Sequence, residues 1–528
     1  MGRLRSRDYP GPRTVDTRWT VRASPPRRFS VWPVRSRWAL PALVLLGMLI
    51  LQAAWIIAVP PFRGIDEFDH AYRAAAVARG EWLAEGTPEH GRGGLVTVPP
   101  DIVRAAHAQC SALPYTGHDN CNPAQVLSGG QVRVASAASR YNPVFYWVVG
   151  TVARPFHGDA ALYVMRATSA LLCAIGLAVA AWLISRRTST LWPKAGLLLA
   201  VTPVFAYSTV LPAPNGLEMV SGLVLWCALL TLGQHQRRGD GWLIGWAVGA
   251  SLCLVTLRSL GPVFEILIVC CVLIVRRRQL RAIWSMHARL LTIGIALTTL
   301  VTVASVWWIL VQAPLGLGGA SDGSHSDASY VSSLRVLPIG LFQTVAAFPL
   351  RNERAPIFVY GVYLILVAAI FLVALRKSRG TLRQGLVLGL LLSQLVPLVL
   401  TVASIRSVGL VWQGRYGLAF VAGLTVLAGV ALDRVRARSV PGPVLAATAS
   451  AYLVAQVACI AAVYHRELRD SVSIADPGFL QTSTAVVGAV GLIGWLIVVG
   501  ALLLSADRGG NTEPDRSRED VELPVTTS

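Results

Sequence analysis

The chain reads as an all-α polytopic integral membrane protein, a bundle of about 12–13 transmembrane helices with two external loops carrying juxtamembrane helices. Three observations lead there. Of 528 residues, 54% are hydrophobic and 14% charged, against roughly 25% charged in soluble proteins, and the mean hydropathy is +0.56. Apolar runs near the ~20 residues that a helix needs to cross a bilayer recur along the chain. The cations fall in short groups between those runs: Arg186 with Arg187, Arg237 with Arg238, Arg276 to Arg278 with Arg281, Arg376 and Lys377 with Arg379 and Arg383, and Arg434, Arg436 and Arg438. Such grouping marks cytoplasmic loops. The formal charge of +20 therefore implies no nucleic-acid partner, because no basic stripe is interleaved with stacking aromatics.

In chain order, residues 1–37 hold ten Arg and two Asp, broken by Pro10, Pro12, Pro25, Pro26 and Pro33. They are expected to form a disordered, basic cytoplasmic arm. The transmembrane domain occupies 38–505, beginning with the run Trp38 to Val59, long enough to be an uncleaved anchor. Residues 61–140, with eight acids and seven Arg, form the first external loop. Further spans are expected near 160–185, 193–210, 214–233, 241–257, 259–275, 287–312, 357–375, 384–404, 415–432, 442–464 and 483–505, with a second external loop at 313–356. Twelve crossings from a cytoplasmic N-terminus place every basic group inside, giving a multi-pass cell-membrane protein. The short apolar run Tyr141 to Phe156 makes thirteen if it spans. The acidic tail 506–528 is expected to be disordered and does not settle its own side.

Six of eight cysteines lie within predicted spans, as small buried apolar side chains. Cys110 and Cys121 lie in the first external loop, where disulfides persist, with Pro114 and Gly117 able to turn the chain between them; a Cys110–Cys121 disulfide is expected.

The segment after the first span reads Asp66-Glu67-Phe68-Asp69-His70-Ala71-Tyr72-Arg73. Asp66 suits a helix N-cap, and Asp69 the first turn. Capping does not account for so many polar groups at one membrane-facing corner, where helical spacing puts Asp66, His70 and Arg73 on one side.

This Asp-Glu-x-x-His-x-Tyr-Arg pattern resembles the signature of a bacterial membrane family, domain-of-unknown-function family 2142, itself similar to the GT-C-type glycosyltransferases that use polyprenyl-phosphate sugars. The likeness extends to Tyr141-Asn142-Pro143-Val144-Phe145-Tyr146 and to Gly414-Arg415-Tyr416. It implies a GT-C-like bundle with a cavity opening at the outer leaflet. It also implies Asp66 as catalytic base, with Glu67 as alternative, helper or metal ligand, and His70, Tyr72, Arg73, Arg415 and Tyr416 as substrate contacts, to which Arg258 is added by its position. A divalent cation is a candidate cofactor. No basic-aromatic sugar-binding motif and no large soluble C-terminal domain accompany these elements.

The chemistry asks for the same residue types. An acceptor hydroxyl is a poor nucleophile at neutral pH unless a carboxylate takes its proton, and a departing phosphate is held by guanidinium forks. Arg258 interrupts an apolar stretch and is either an intramembrane charge with a function or part of a short external turn. Arg415 enters a helix from outside, as phosphate ligand or interfacial anchor. Arg351 and Arg354 are donor contacts or a solvated loop face. Glu218 sits at a helix mouth, and His325 with Asp322 and Asp327 is a cation-site candidate in a Gly/Ser-rich loop.

The function expected is a membrane glycosyltransferase moving a sugar from a polyprenyl-phosphate donor to a cell-envelope glycan or lipid acceptor on the extracytoplasmic face, with membrane lipid as surrounding partner. The rivals are a transporter or flippase for a lipid-linked substrate, and a noncatalytic envelope-assembly scaffold. Transporters show repeated, broken helices and deep carboxyls; here no repeat is evident.

Overall fold

A computed structural model describes residues 38–188, 190–232, 240–312, 330–348, 354–408, 412–438 and 440–505. The arm 1–37, the tail 506–528, Arg351 and the group of His325 with Asp322 and Asp327 lie outside the described residues.

The chain runs through α1 (Ala39–Ala58), α2 (Glu67–Val77), β1 (Gly94–Val98), α3 (Pro100–Ser111), α4 (His118–Cys121), β2 (Gln125–Val126), β3 (Val132–Ser136), α5 (Pro143–Ala153) and α6 (Gly158–Arg187). There follow α7 (Trp192–Ala200), α8 (Pro203–Ser208), α9 (Pro214–Thr231), α10 (Gly241–Leu257), α11 (Gly261–Arg276), α12 (Leu280–Gln312), α13 (Val336–Val345) and α14 (Ile357–Lys377). The last elements are α15 (Gly380–Val408), α16 (Leu418–Arg434), α17 (Gly442–Glu467), α18 (Ser471–Ala475) and α19 (Thr484–Leu504).

Among the described residues, nine helices are long and apolar enough to cross a membrane: α1, α6, α9, α12, α14, α15, α16 with its preceding turn, α17 and α19. At the other expected spans lie shorter helices, α10 of 17 residues, α11 of 16 and the broken pair α7–α8. The run Tyr141 to Phe156 holds only the 11-residue α5, about 17 Å at the helical rise and half of what a crossing needs. Proline at N1 and the Asn142 cap, whose Oδ1 accepts from the Val144 N–H at 3.1 Å, start this helix outside the bundle.

One large apolar core joins the spans, with Trp55, Trp226 and Trp495 fully buried. Trp226 lies flat against α16, donating to the Phe420 carbonyl at 3.1 Å. A Cβ at Gly423 would come within 1.9 Å of its ring, so only glycine lets α16 and α9 approach this closely. The break between α7 and α8 frees the Val201 carbonyl inside the bundle. It accepts from Gln456 Nε2 at 2.7 Å and Tyr452 Oη at 3.2 Å, which meets the rule that an opened backbone at membrane depth needs side-chain partners.

The segment 61–140, expected as a loop with juxtamembrane helices, is a folded module. Residues from Phe62 to Met165 build a second core around Phe68, Tyr72, Val96, Ile102, Val134 and Tyr146. A three-stranded antiparallel sheet, order β1-β3-β2, forms one side. Alternating Val96, Val98, Val132 and Val134 turn inward from β1 and β3, and Cys110 of α3 is disulfide-bonded to Cys121 at the end of α4. Of the six cysteines expected to be buried, Cys253 and Cys270 are instead exposed on the outer face of the bundle, a place open to small apolar groups where lipid is the solvent.

Candidate active site

The link 59–66 between α1 and α2 turns sharply through two left-handed residues, Phe62 at φ 58° and Asp66 at φ 52°. A phenylalanine in that region is held there by its surroundings at a cost of roughly 1–3 kcal/mol, and Phe62 is fully buried. Three contacts fix the corner. Glu67 accepts the Gly64 N–H at 3.0 Å, the Tyr207 hydroxyl lies 3.3 Å from the Ile65 N–H, and Arg63 pairs with Glu467 at 3.2 Å and Asp470 at 2.9 Å. Asp66 takes the N-cap position of α2 but makes no capping bond with its side chain. Its carboxylate instead faces Arg415 Nη2 at 4.0 Å.

Arg415 belongs to a 3-10 turn, Gly414–Gly417, ahead of α16. The turn docks on α13: Gly414 N–H donates to Gln343 Oε1 at 2.8 Å, and a Cβ on Gly414 would strike the Gly340 carbonyl at 2.0 Å. Glycine before Arg415 is therefore a packing requirement. Arg415 donates through Nε to Gln413 Oε1 at 2.8 Å, while its Nη1 is buried without a hydrogen-bond partner.

Arg258 sits in the turn 258–260 between α10 and α11, directed inward to Glu218 Oε2 at 3.5 Å. Tyr416 contacts both cations, its ring centre 4.8 Å from the Arg258 guanidinium and 5.3 Å from that of Arg415. An aromatic face beside each cation offsets part of their desolvation and their mutual repulsion.

His70, one helical turn past Asp66, shares a 2.7 Å hydrogen bond with the Tyr146 hydroxyl and stacks between Tyr146 and Tyr141 at 5.9 and 6.0 Å. Burial pulls its pKa down to about 3, with Arg258 and Arg415 pushing the same way against Asp66. The imidazole is neutral at physiological pH.

Asp66, His70, Arg258, Arg415 and Tyr416 thus converge from three separate segments. Three other expected site residues do not join them. Glu67 lies fully buried with both oxygens taken by Arg166 at 2.7 Å. Tyr72 falls on another face of α2, six residues from Asp66, and is buried edge-on to Phe68 at 6.0 Å. Arg73 shares the face of Asp66 but stands about 10 Å further along the helix. There its guanidinium closes the carbonyls of Trp82 at 2.7 Å, Tyr141 at 3.1 Å and Glu81 at 3.3 Å. Glu218, Tyr146 and Arg166 are members of the site or its frame that the sequence reading did not place there; the polar position of each inside an apolar run was the available signal.

Arg354, the described member of the pair with Arg351, is exposed, and its carbonyl accepts from Arg466. Among the described residues, no group of three or more His, Cys, Asp or Glu gathers as a cation site, and the Asp66 and Glu218 carboxylates each already face an arginine. The space beside Arg258, bordered by Tyr141, Asn142 and Trp308, is about 10 Å³, room for a water. A larger cavity lies among α9, α10, α11 and α12.

No curated protein matches the sequence. Among solved structures, the chain is similar to ArnT from Cupriavidus metallidurans bound to undecaprenyl phosphate, at 16% identity and a TM-score of 0.45 over 89% of this chain and 77% of that one. It is also similar to the Archaeoglobus fulgidus oligosaccharyltransferase in the apo form, at 11% identity and TM-score 0.41 over 90% and 56% of the two chains. Against the arabinosyltransferase EmbB from Mycobacterium smegmatis the values are 14% and 0.34, over 92% and 43%. The family model described as a predicted membrane protein (DUF2142) matches residues 49–424, a stretch that carries the acidic corner, both arginines and the Gly414–Gly417 turn, and the chain belongs to that family.

Proposed function

We propose that this protein is a membrane glycosyltransferase that moves a sugar from a polyprenyl-phosphate donor to a cell-envelope acceptor on the extracytoplasmic face. One observation carries the reading: a partly exposed carboxylate, Asp66, stands 4.0 Å from the Arg415 guanidinium, and Arg258 lies against the same Tyr416 ring as Arg415. Inverting transfer uses that arrangement directly. Asp66 takes the proton of the acceptor hydroxyl, whose oxygen bonds to the anomeric carbon as the bond from that carbon to the phosphate oxygen breaks. The electron pair leaves with the phosphate, and Arg415, with its Nη1 free of other partners, and Arg258 hold the oxygens on which charge grows.

His70 is neutral beside Asp66 and so does not compete for the base's negative charge. Glu67, Tyr72 and Arg73 act as positioning residues, through Arg166, the module core and the loop carbonyls respectively. No step is assigned to a divalent cation, because the carboxylates at the corner face guanidinium groups and supply no set of free oxygen ligands.

Purified protein incubated with radiolabelled polyprenyl-phosphate sugars and a cell-wall fraction tests the reading. Wild type transfers label and Asp66→Asn does not. Equal transfer by both removes Asp66 from the mechanism, and label crossing a vesicle membrane without a glycosidic product favours a transporter.

A further inference from the structure

A cavity of about 890 Å³ lies among α9, α10, α11 and α12, and Asp66 does not line it. Its walls are apolar and two features are not. At one end the Glu265 carboxylate accepts from Ser251 and, at 3.2 Å, from Thr302. At the other, Arg276 and Arg281 border the cavity beside Trp284. Arg276 is 2% exposed; it donates to the Leu230 carbonyl and to Gln279 Oε1 at 2.7 Å, and its Nε has no hydrogen-bond partner.

The dimensions identify what fits. Glu265 and Arg276 share α11, and eleven residues at 1.5 Å each separate them by about 17 Å. That is close to one leaflet of a ~30 Å hydrocarbon core. The cavity opens sideways between helices, since Ile266 and Ile295, which border it, are 58% and 55% exposed on the outer face of the bundle. Trp284, at the level of the arginines, suits the interface between headgroups and chains. A buried guanidinium with an unused donor at the end of α11, an exposed arginine at the start of α12, and an apolar slot one leaflet deep call for an amphiphile with an anionic head.

We propose that this cavity is a phospholipid site, in which an anionic glycerophospholipid of the leaflet at the basic end seats its phosphate on Arg276 and Arg281 and runs one acyl chain toward Glu265. The proposal is independent of sugar transfer, because it uses no residue of the acidic corner.

Native mass spectrometry of the purified full-length protein, offered dioleoylphosphatidylglycerol, dioleoylphosphatidylcholine or undecaprenyl phosphate at equal concentration, tests it. Phosphatidylglycerol is retained about tenfold over phosphatidylcholine. Thr298→Trp, which fills the slot, abolishes retention. Arg281→Ala, an exposed position without a packing role, lowers phosphatidylglycerol retention about fivefold and leaves phosphatidylcholine unchanged. Equal retention of the two phospholipids, indifference to Arg281→Ala in the folded protein, or preference for undecaprenyl phosphate overturns the assignment.

Discussion

Arg166 of α6 binds both carboxylate oxygens of Glu67, Nε to Oε1 and Nη2 to Oε2 at 2.7 Å each. Its remaining donors close the Val59 and Pro60 carbonyls at 2.7 Å. The end of α1, the start of α2 and the middle of α6 are joined through this one guanidinium, at a point where neither side chain is more than 1% exposed. The left-handed Asp66 is the residue just before Glu67, so the pair sets the direction in which Asp66 points.

Glu67→Gln leaves a buried cation without its counter-charge, and removing one partner of such a pair costs about 3–5 kcal/mol. The variant therefore melts well below wild type in detergent, whereas Asp66→Asn melts within a few degrees of it. If Glu67→Gln were as stable as wild type and inactive, Glu67 rather than Asp66 would be the better base.

Arg415→Lys keeps the charge and loses the planar fork. The expected result is a donor KM at least about tenfold higher in steady-state transfer assays. Tyr416→Phe keeps the aromatic face and stays within about threefold of wild type, while Tyr416→Leu removes contacts worth about 0.5–2 kcal/mol to each guanidinium and weakens donor binding. Identical behaviour of Phe and Leu at this position would exclude the ring as a support for the cations.

With its pKa pulled down to about 3 from the ordinary 6.5, His70 binds a proton in the unfolded chain before it does so in the folded one. Above pH 6.5 it contributes nothing to pH dependence. As pH falls from 6.5 toward 3, the folded state loses up to about 1.4 kcal/mol per pH unit. The hydrogen-exchange protection factors of the α2 amides, each rate divided by its intrinsic rate at that pH, should fall from pH 7 to pH 4 in wild type and change less in His70→Asn.

The Cys110–Cys121 disulfide closes a sequence separation of 11 residues, short enough that its removal costs about 3 kcal/mol through unfolded-state entropy. Replacing both cysteines by serine should loosen α3 and α4, read as protease sensitivity of the module, and leave α14 to α16 unaffected. Alkylation of oxidised, denatured protein should spare these two thiols; two extra labels would refute the bond.

The spans, the basic groups and the acidic corner were legible in the sequence because hydropathy and charge placement act locally, over the ~20 residues of a crossing. Asp66, Arg258, Arg415 and Tyr416 were legible for a related reason: polar groups beside or within apolar runs are costly, so each calls attention to itself. Their convergence, the capture of Glu67 by Arg166, the diversion of Arg73 to loop carbonyls and the core built under Tyr72 were decided only by tertiary structure. Whether a charge is free depends on partners that packing brings from distant segments, as Arg166 is brought to Glu67 across 99 residues, and a helical face alone does not say which end of it meets the site.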